Sequence, residues 1–198
     1  MTKTITRLYD SRSDAMEAAH ELERMGIPVA DVSIIASNKD SWYDGKSKDG
    51  MKDKDRDGRD DRGEGLVKGA ATGGVLGAGA GLLAGLGLLA IPGIGPVVAA
   101  GWLATTLAGA ATGAVAGGAV GGLVAALTDA GVPEADAHVY SEGVRRGGTL
   151  LTVRVNEGRT TDVETALNRY RPTDVGTRGK QYRDSGWSRF DPNAPPPM

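Results

Sequence analysis

Apolar and polar positions change period twice within the first 38 residues. Lys3 to Tyr9 is rich in Thr and carries Ile5, Leu8 and Tyr9, which predicts a short strand. Asp10-Ser11-Arg12-Ser13 then supplies helix-start chemistry, with Ser11 and Asp14 spaced as a capping box. Ala15, Ala18, Ala19 and Leu22 recur at i, i+3, i+4 and i+7, one apolar helical stripe, and Gly26-Ile27-Pro28 ends it. Val32, Ile34 and Ile35 mark a second strand, completing a β-α-β unit.

After Asp129 the same kind of patterning returns. Pro133 fits a first helical position, and Ala135, Val139 and Tyr140 line a helix that stops at Arg145-Arg146-Gly147-Gly148. Leu151, Val153 and Val155 alternate with Thr152 and Arg154 as in a half-buried strand. Thr161 and Glu164 are spaced as a second capping box before a last helix with Val163, Ala166, Leu167 and Tyr170. The two flanks read as halves of one small α+β domain, 1–38 and 130–172. Residues 173–198 are polar, end in a proline run and read as a disordered tail.

Between the halves the periodicity disappears. From Gly69 to Thr128 no residue is charged. Within this block lie two glycine ladders spaced by four: Gly69, Gly73, Gly77, Gly81, Gly85, then Gly109, Gly113, Gly117, Gly121. They mirror each other about residue 95, inside the turn-like Ile91-Pro92-Gly93-Ile94-Gly95-Pro96. This predicts that 66–129 is an antiparallel glycine-zipper helical hairpin with arms at 66–90 and 97–128. Missing side chains let helix backbones approach more closely than the usual 8–10 Å or so. The expected fold is therefore a split β-α-β…α-β-α domain interrupted by that hairpin.

Composition sharpens the picture. Glycine inside a helix costs about 1 kcal/mol relative to alanine in water, whereas a bilayer enforces helix regardless. The uncharged stretches 69–90 and 97–128, 22 and 32 residues, exceed the roughly 20 that cross hydrocarbon. The expected place is the bacterial cytoplasmic membrane, with self-association and with the α+β domain on the cytoplasmic side; the alternative is a cytoplasmic oligomer whose hairpin packs on its own domain. Lys68, Arg145 and Arg146 suit the cytoplasmic face. The first residues contain no apolar run of the secretory kind. There is no cysteine, so neither disulfides nor thiolate metal sites arise. A net charge of −2 gives no general reason to expect nucleic acid.

Residues 39–65 carry mixed charge and read as a flexible linker. Inside it, Asp53, Asp55, Asp57, Asp61 and Glu64 fall at positions 1, 3, 5, 9 and 12 of an EF-hand-like loop, with Gly58 at position 6. Carboxylates at alternate positions can wrap Ca²⁺. Asp60 stands where a hydrophobic anchor is usual, and Lys54, Arg56, Arg59 and Arg62 oppose a cation. Gly45-Lys46-Ser47 lacks the first glycine of a P-loop, and no strand precedes Gly79-Ala80-Gly81. His20 and His138 lie on separate helices, and no nucleophile, base and oxyanion set assembles. No catalytic residue, small-molecule substrate or cofactor other than Ca²⁺ is expected.

The β-α-β start, the block from Gly85 through Ile91-Pro92-Gly93-Ile94-Gly95-Pro96 to Gly101, and Glu142-Gly143-Val144-Arg145-Arg146-Gly147-Gly148 resemble the bacterial general stress protein family, whose members are called heat-induced or low-temperature-induced proteins. The resemblance covers about residues 3–172. It implies a stress-associated protein without enzymatic activity and carries over no site residues.

Overall fold

Alternation along the flanking strands leads to a sheet covered on both faces. The computed structural model describes residues 1–43, 86–111 and 122–194. In chain order these form β1 (Thr2–Tyr9), α1 (Arg12–Arg24), β2 (Val32–Ser37), β3 (Gly87–Ile91), β4 (Gly95–Gly101), α2 (Trp102–Ala111), α3 (Gly122–Asp129), α4 (Glu134–Arg145), β5 (Thr149–Asn156), α5 (Thr160–Asn168) and α6 (Val175–Asp184). The strands make one antiparallel sheet in the order β1-β5-β2-β4-β3. The α+β class is as expected.

Because successive strand side chains point to opposite faces, each strand feeds two cores. Ile5, Tyr9, Val32, Ile34, Leu151, Val153 and Val155 pack with Ala15, Ala18, Ala19 and Leu22 of α1 and Val163 and Leu167 of α5. Leu8, Ile35, Val97, Ala99 and Leu150 pack on the other side with Leu103 and Leu107 of α2, Leu123 and Leu127 of α3, and Tyr140 and Val144 of α4. α6 lies against α4.

The uncharged block differs most from expectation. Residues 87–101, assigned in sequence to the inner ends of two helical arms, form a β-hairpin, so the expected helical hairpin is not what these residues build. The chain does turn at the Pro-Gly segment, but every β3–β4 pair, from Gly87–Ala99 to Ile91–Gly95, is centred on residue 93, not 95. β4 is then sealed into the sheet by β2, with Ser37 opposite Val97 and Ser33 opposite Gly101. Val97, Val98, Ala99 and Ala100 are all buried, two on each face. A strand buried on both sides has no apolar period and reads like a buried helix. The described parts of the second arm, 97–111 and 122–128, are thus the end of a strand, α2 and α3. Among the described residues no helix is long and apolar enough to cross a membrane.

The segment from 173 is also not the tail that its polarity suggested. Asp174 caps α6, its carboxylate accepting from the Thr177 N–H at 2.7 Å. Thr173 donates its N–H to the Leu8 carbonyl at 2.7 Å, joining the β1 edge. Tyr182 and Phe190 are buried. At the hairpin tip, Gly93 lies so close to Pro192 that a side chain there would overlap its backbone. Ser11 caps α1 by accepting from the Asp14 N–H at 3.3 Å. Thr161 caps nothing: α5 begins at Thr160, directly after a 3-10 turn at Glu157–Arg159.

Candidate functional site

Most residues singled out in the sequence lie outside the described segments: Gly69, Gly73, Gly77, Gly81, Gly85, Gly113, Gly117 and Gly121, and the acidic set Asp53, Asp55, Asp57, Asp61 and Glu64. Gly109 alone of the ladders is placed, within α2. Among the described residues no cluster of three potential metal ligands occurs. The Tyr43 hydroxyl donates to the Leu86 carbonyl at 2.9 Å, so residues 43 and 86 lie side by side.

A different site forms where three chain reversals converge. The first is the end of α4. Gly148 N–H donates to the Gly143 carbonyl and Gly147 N–H to the Val144 carbonyl, the paired bonds of a Schellman stop. Gly147 sits at φ +103°, a conformation that excludes most side chains, and this is the physical basis of the Arg-Arg-Gly-Gly signal. The stop sets Arg145 and Arg146 at the negative end of the helix dipole. The second reversal is the loop after β2. Buried Asn38 accepts the Tyr43 N–H at 3.0 Å and donates to the Tyr43 carbonyl at 2.9 Å, closing a five-residue loop with Lys39 and Asp40 at its tip. The third is the start of α1, where Arg12 is the first helical residue.

Arg12, Ser37, Lys39, Asp40, Arg145, Arg146 and Gly147 line an open cavity of about 560 Å³. Four cations face one exposed carboxylate. Arg12 is held between Asp40, at 3.0 Å, and the Trp42 ring, 4.0 Å below its guanidinium. Lys39 donates to the Arg145 carbonyl at 2.9 Å. Behind the cavity Glu142, 0% exposed, pairs with Arg145 at 2.6 Å and Arg146 at 2.7 Å. Its Oε2 meets Arg145 as a charge pair without hydrogen-bond alignment, and Arg145 Nε has no hydrogen-bond partner although the side chain is 5% exposed. Aromatic rings from the C-terminal segment back both arginines, with Phe190 5.4 Å from Arg145 and Tyr182 4.4 Å from Arg146. Burial pushes the Tyr182 hydroxyl above its ordinary pKa, against the opposing pull of Arg178 and Arg146.

With both carboxylates ionised, the group carries a net excess of two positive charges. That arrangement can attract and orient an anion. It offers no nucleophile–base pair. In sequence these parts lie apart, Arg12 at a helix start, Lys39 and Asp40 in the mixed-charge linker, Arg145 to Gly148 at a helix stop. One local signal was available: Glu142 precedes Arg145 by three and Arg146 by four, the spacing of helical ion pairs. No family model, curated protein or solved structure matches the chain.

Proposed function

We propose that this is a non-enzymatic stress-response protein that acts by association, and that it self-associates through the glycine-rich stretches 69–85 and 112–121. One observation carries the reading: the domain's own core takes up the middle and end of the uncharged block. Ile91, Ile94, Val97, Val98, Leu103, Leu107, Leu123 and Leu127 are buried. What remains uncharged is 69–85 and 112–121, 17 and 10 residues. These hold every ladder glycine except Gly109. Neither reaches the roughly 20 residues that cross hydrocarbon. Both keep the small-residue spacing by which helices approach closely, so glycine-zipper packing is retained here as a contact between copies. The stress role rests on the resemblance carried by the Pro-Gly tip and by Glu142 to Gly148.

Sedimentation velocity of the full chain in detergent-free buffer tests it. An oligomer is expected, dissociating in the Gly77→Leu, Gly113→Leu double variant; a monomer at every concentration ends the proposal. The uncharged run directly after Lys68 favours a second reading: membrane association with the α+β domain on the cytoplasmic side. Recovery of the chain in washed membranes at high salt would replace the first reading with the second.

A further inference from the structure

We propose that the cavity between Arg12, Lys39, Arg145 and Arg146 is a binding site for a phosphate group, either on a small soluble phosphate or diphosphate or on a lipid headgroup.

Charge, donors and preorganisation point the same way. The net excess of two positive charges matches a phosphate dianion. Arginine forks suit phosphate oxygens geometrically, and lysine adds a point charge. The donors are not used up by the protein. Arg146 uses Nε on Glu142, and its side chain is a third exposed and lines the cavity. Lys39 uses one of three N–H bonds. Arg145 also lines the cavity, and its buried Nε has no hydrogen-bond partner. Preorganisation comes from behind: Glu142, Phe190 and Tyr182 fix the arginines, and Asn38 fixes the loop that carries Lys39. Glu142 pairs with Arg145 and Arg146 but does not line the cavity, and Asp40, 63% exposed, pairs with Arg12 and can swing into water. The volume suits a small ligand.

Calorimetric titration of the full chain with inorganic pyrophosphate, at ionic strength held constant with NaCl, tests this. Saturable binding is expected. Arg146→Ala should weaken it at least tenfold. Lys39→Glu, on an exposed side chain whose loss leaves the core untouched, should do the same. Asp40→Asn should tighten it severalfold, and Lys180→Ala, on α6 and paired only with Asp184, should change nothing. Co-sedimentation with phosphatidylglycerol vesicles, against phosphatidylcholine, separates the sources. Vesicle binding released by pyrophosphate assigns the site to a headgroup; pyrophosphate binding without vesicle binding assigns it to a soluble phosphate. Absence of saturable binding to either probe, or Lys39→Glu binding like the parent chain, overturns the proposal.

Discussion

Glu142→Gln removes a charge while keeping the shape of a side chain that no water reaches. Its carboxylate serves two guanidiniums, Arg145 at 2.6 Å and Arg146 at 2.7 Å. Arg146 is 33% exposed on its side chain and can turn to solvent. Arg145 cannot: it is 5% exposed, and its remaining polar contact is the Asp191 carbonyl at 3.3 Å. Deleting one member of a buried ion pair costs about 3–5 kcal/mol, because the survivor is left charged and desolvated. Glutamine's oxygen still accepts one bond, so the lower end, about 3 kcal/mol, is expected. That is a large part of the roughly 5–15 kcal/mol that stabilises a typical domain. Urea unfolding followed by circular dichroism measures it. Arg145→Met, which leaves Glu142 paired with Arg146, should cost less. The double variant should cost at least about 1 kcal/mol less than the sum, since contacting residues couple. If Glu142→Gln lies within about 0.5 kcal/mol of the parent, or the two changes add, the Glu142 carboxylate is not the obligate partner of buried Arg145.

Further outcomes are accessible. Gly147→Ala should destabilise by about 1 kcal/mol through backbone conformation alone, because no atom lies within 4 Å of the new methyl, whereas Gly158→Ala should be near neutral; equal effects would refute the role of the left-handed stop. Burial pushes the Tyr140 hydroxyl up to about 12, and that of Tyr9 higher still. The raised folded value means that the stabilisation is complete below the unfolded pKa near 10 and is lost as pH rises toward 12, about 3 kcal/mol for Tyr140. Tyr140→Phe should therefore flatten the alkaline stability slope by about 1.4 kcal/mol per pH unit, and an unchanged slope would refute it. Gly93→Ala should displace Pro192 from the hairpin tip, seen as faster tryptic cleavage at Arg189; an unaltered cleavage rate would show that the C-terminal segment does not depend on that contact.

The flanks were legible because each of their elements buries one stripe or one alternating set. Leu151, Val153 and Val155, or Ala15, Ala18, Ala19 and Leu22, announce their geometry by spacing. The strand at 95–101 could not be read this way, since Val97 to Ala100 are buried in sequence and the surrounding glycines and leucines satisfy a helical pattern equally well. β-branched Val97 and Val98 next to Pro96 were the available strand signal. The C-terminal segment escaped because three isolated aromatics, Tyr182, Trp187 and Phe190, anchor an otherwise polar stretch; the Asp174–Thr177 cap was its local clue. The cavity was illegible for a different reason. Its cations are contributed by a helix start, a loop and a helix stop, and only the sheet order brings them together.

β5 lies between β1 and β2, although the whole uncharged block separates it from them in sequence. A ribosome therefore releases β1, α1 and β2 long before the strand that joins them exists. Until Thr149–Asn156 emerges, the two early strands have no shared hydrogen bonds, and their inner edges stay open to other chains. A nascent chain halted before that point should be digested readily by protease, and a separately made 130–198 piece should rescue a 1–129 piece by supplying the missing interior strand in trans.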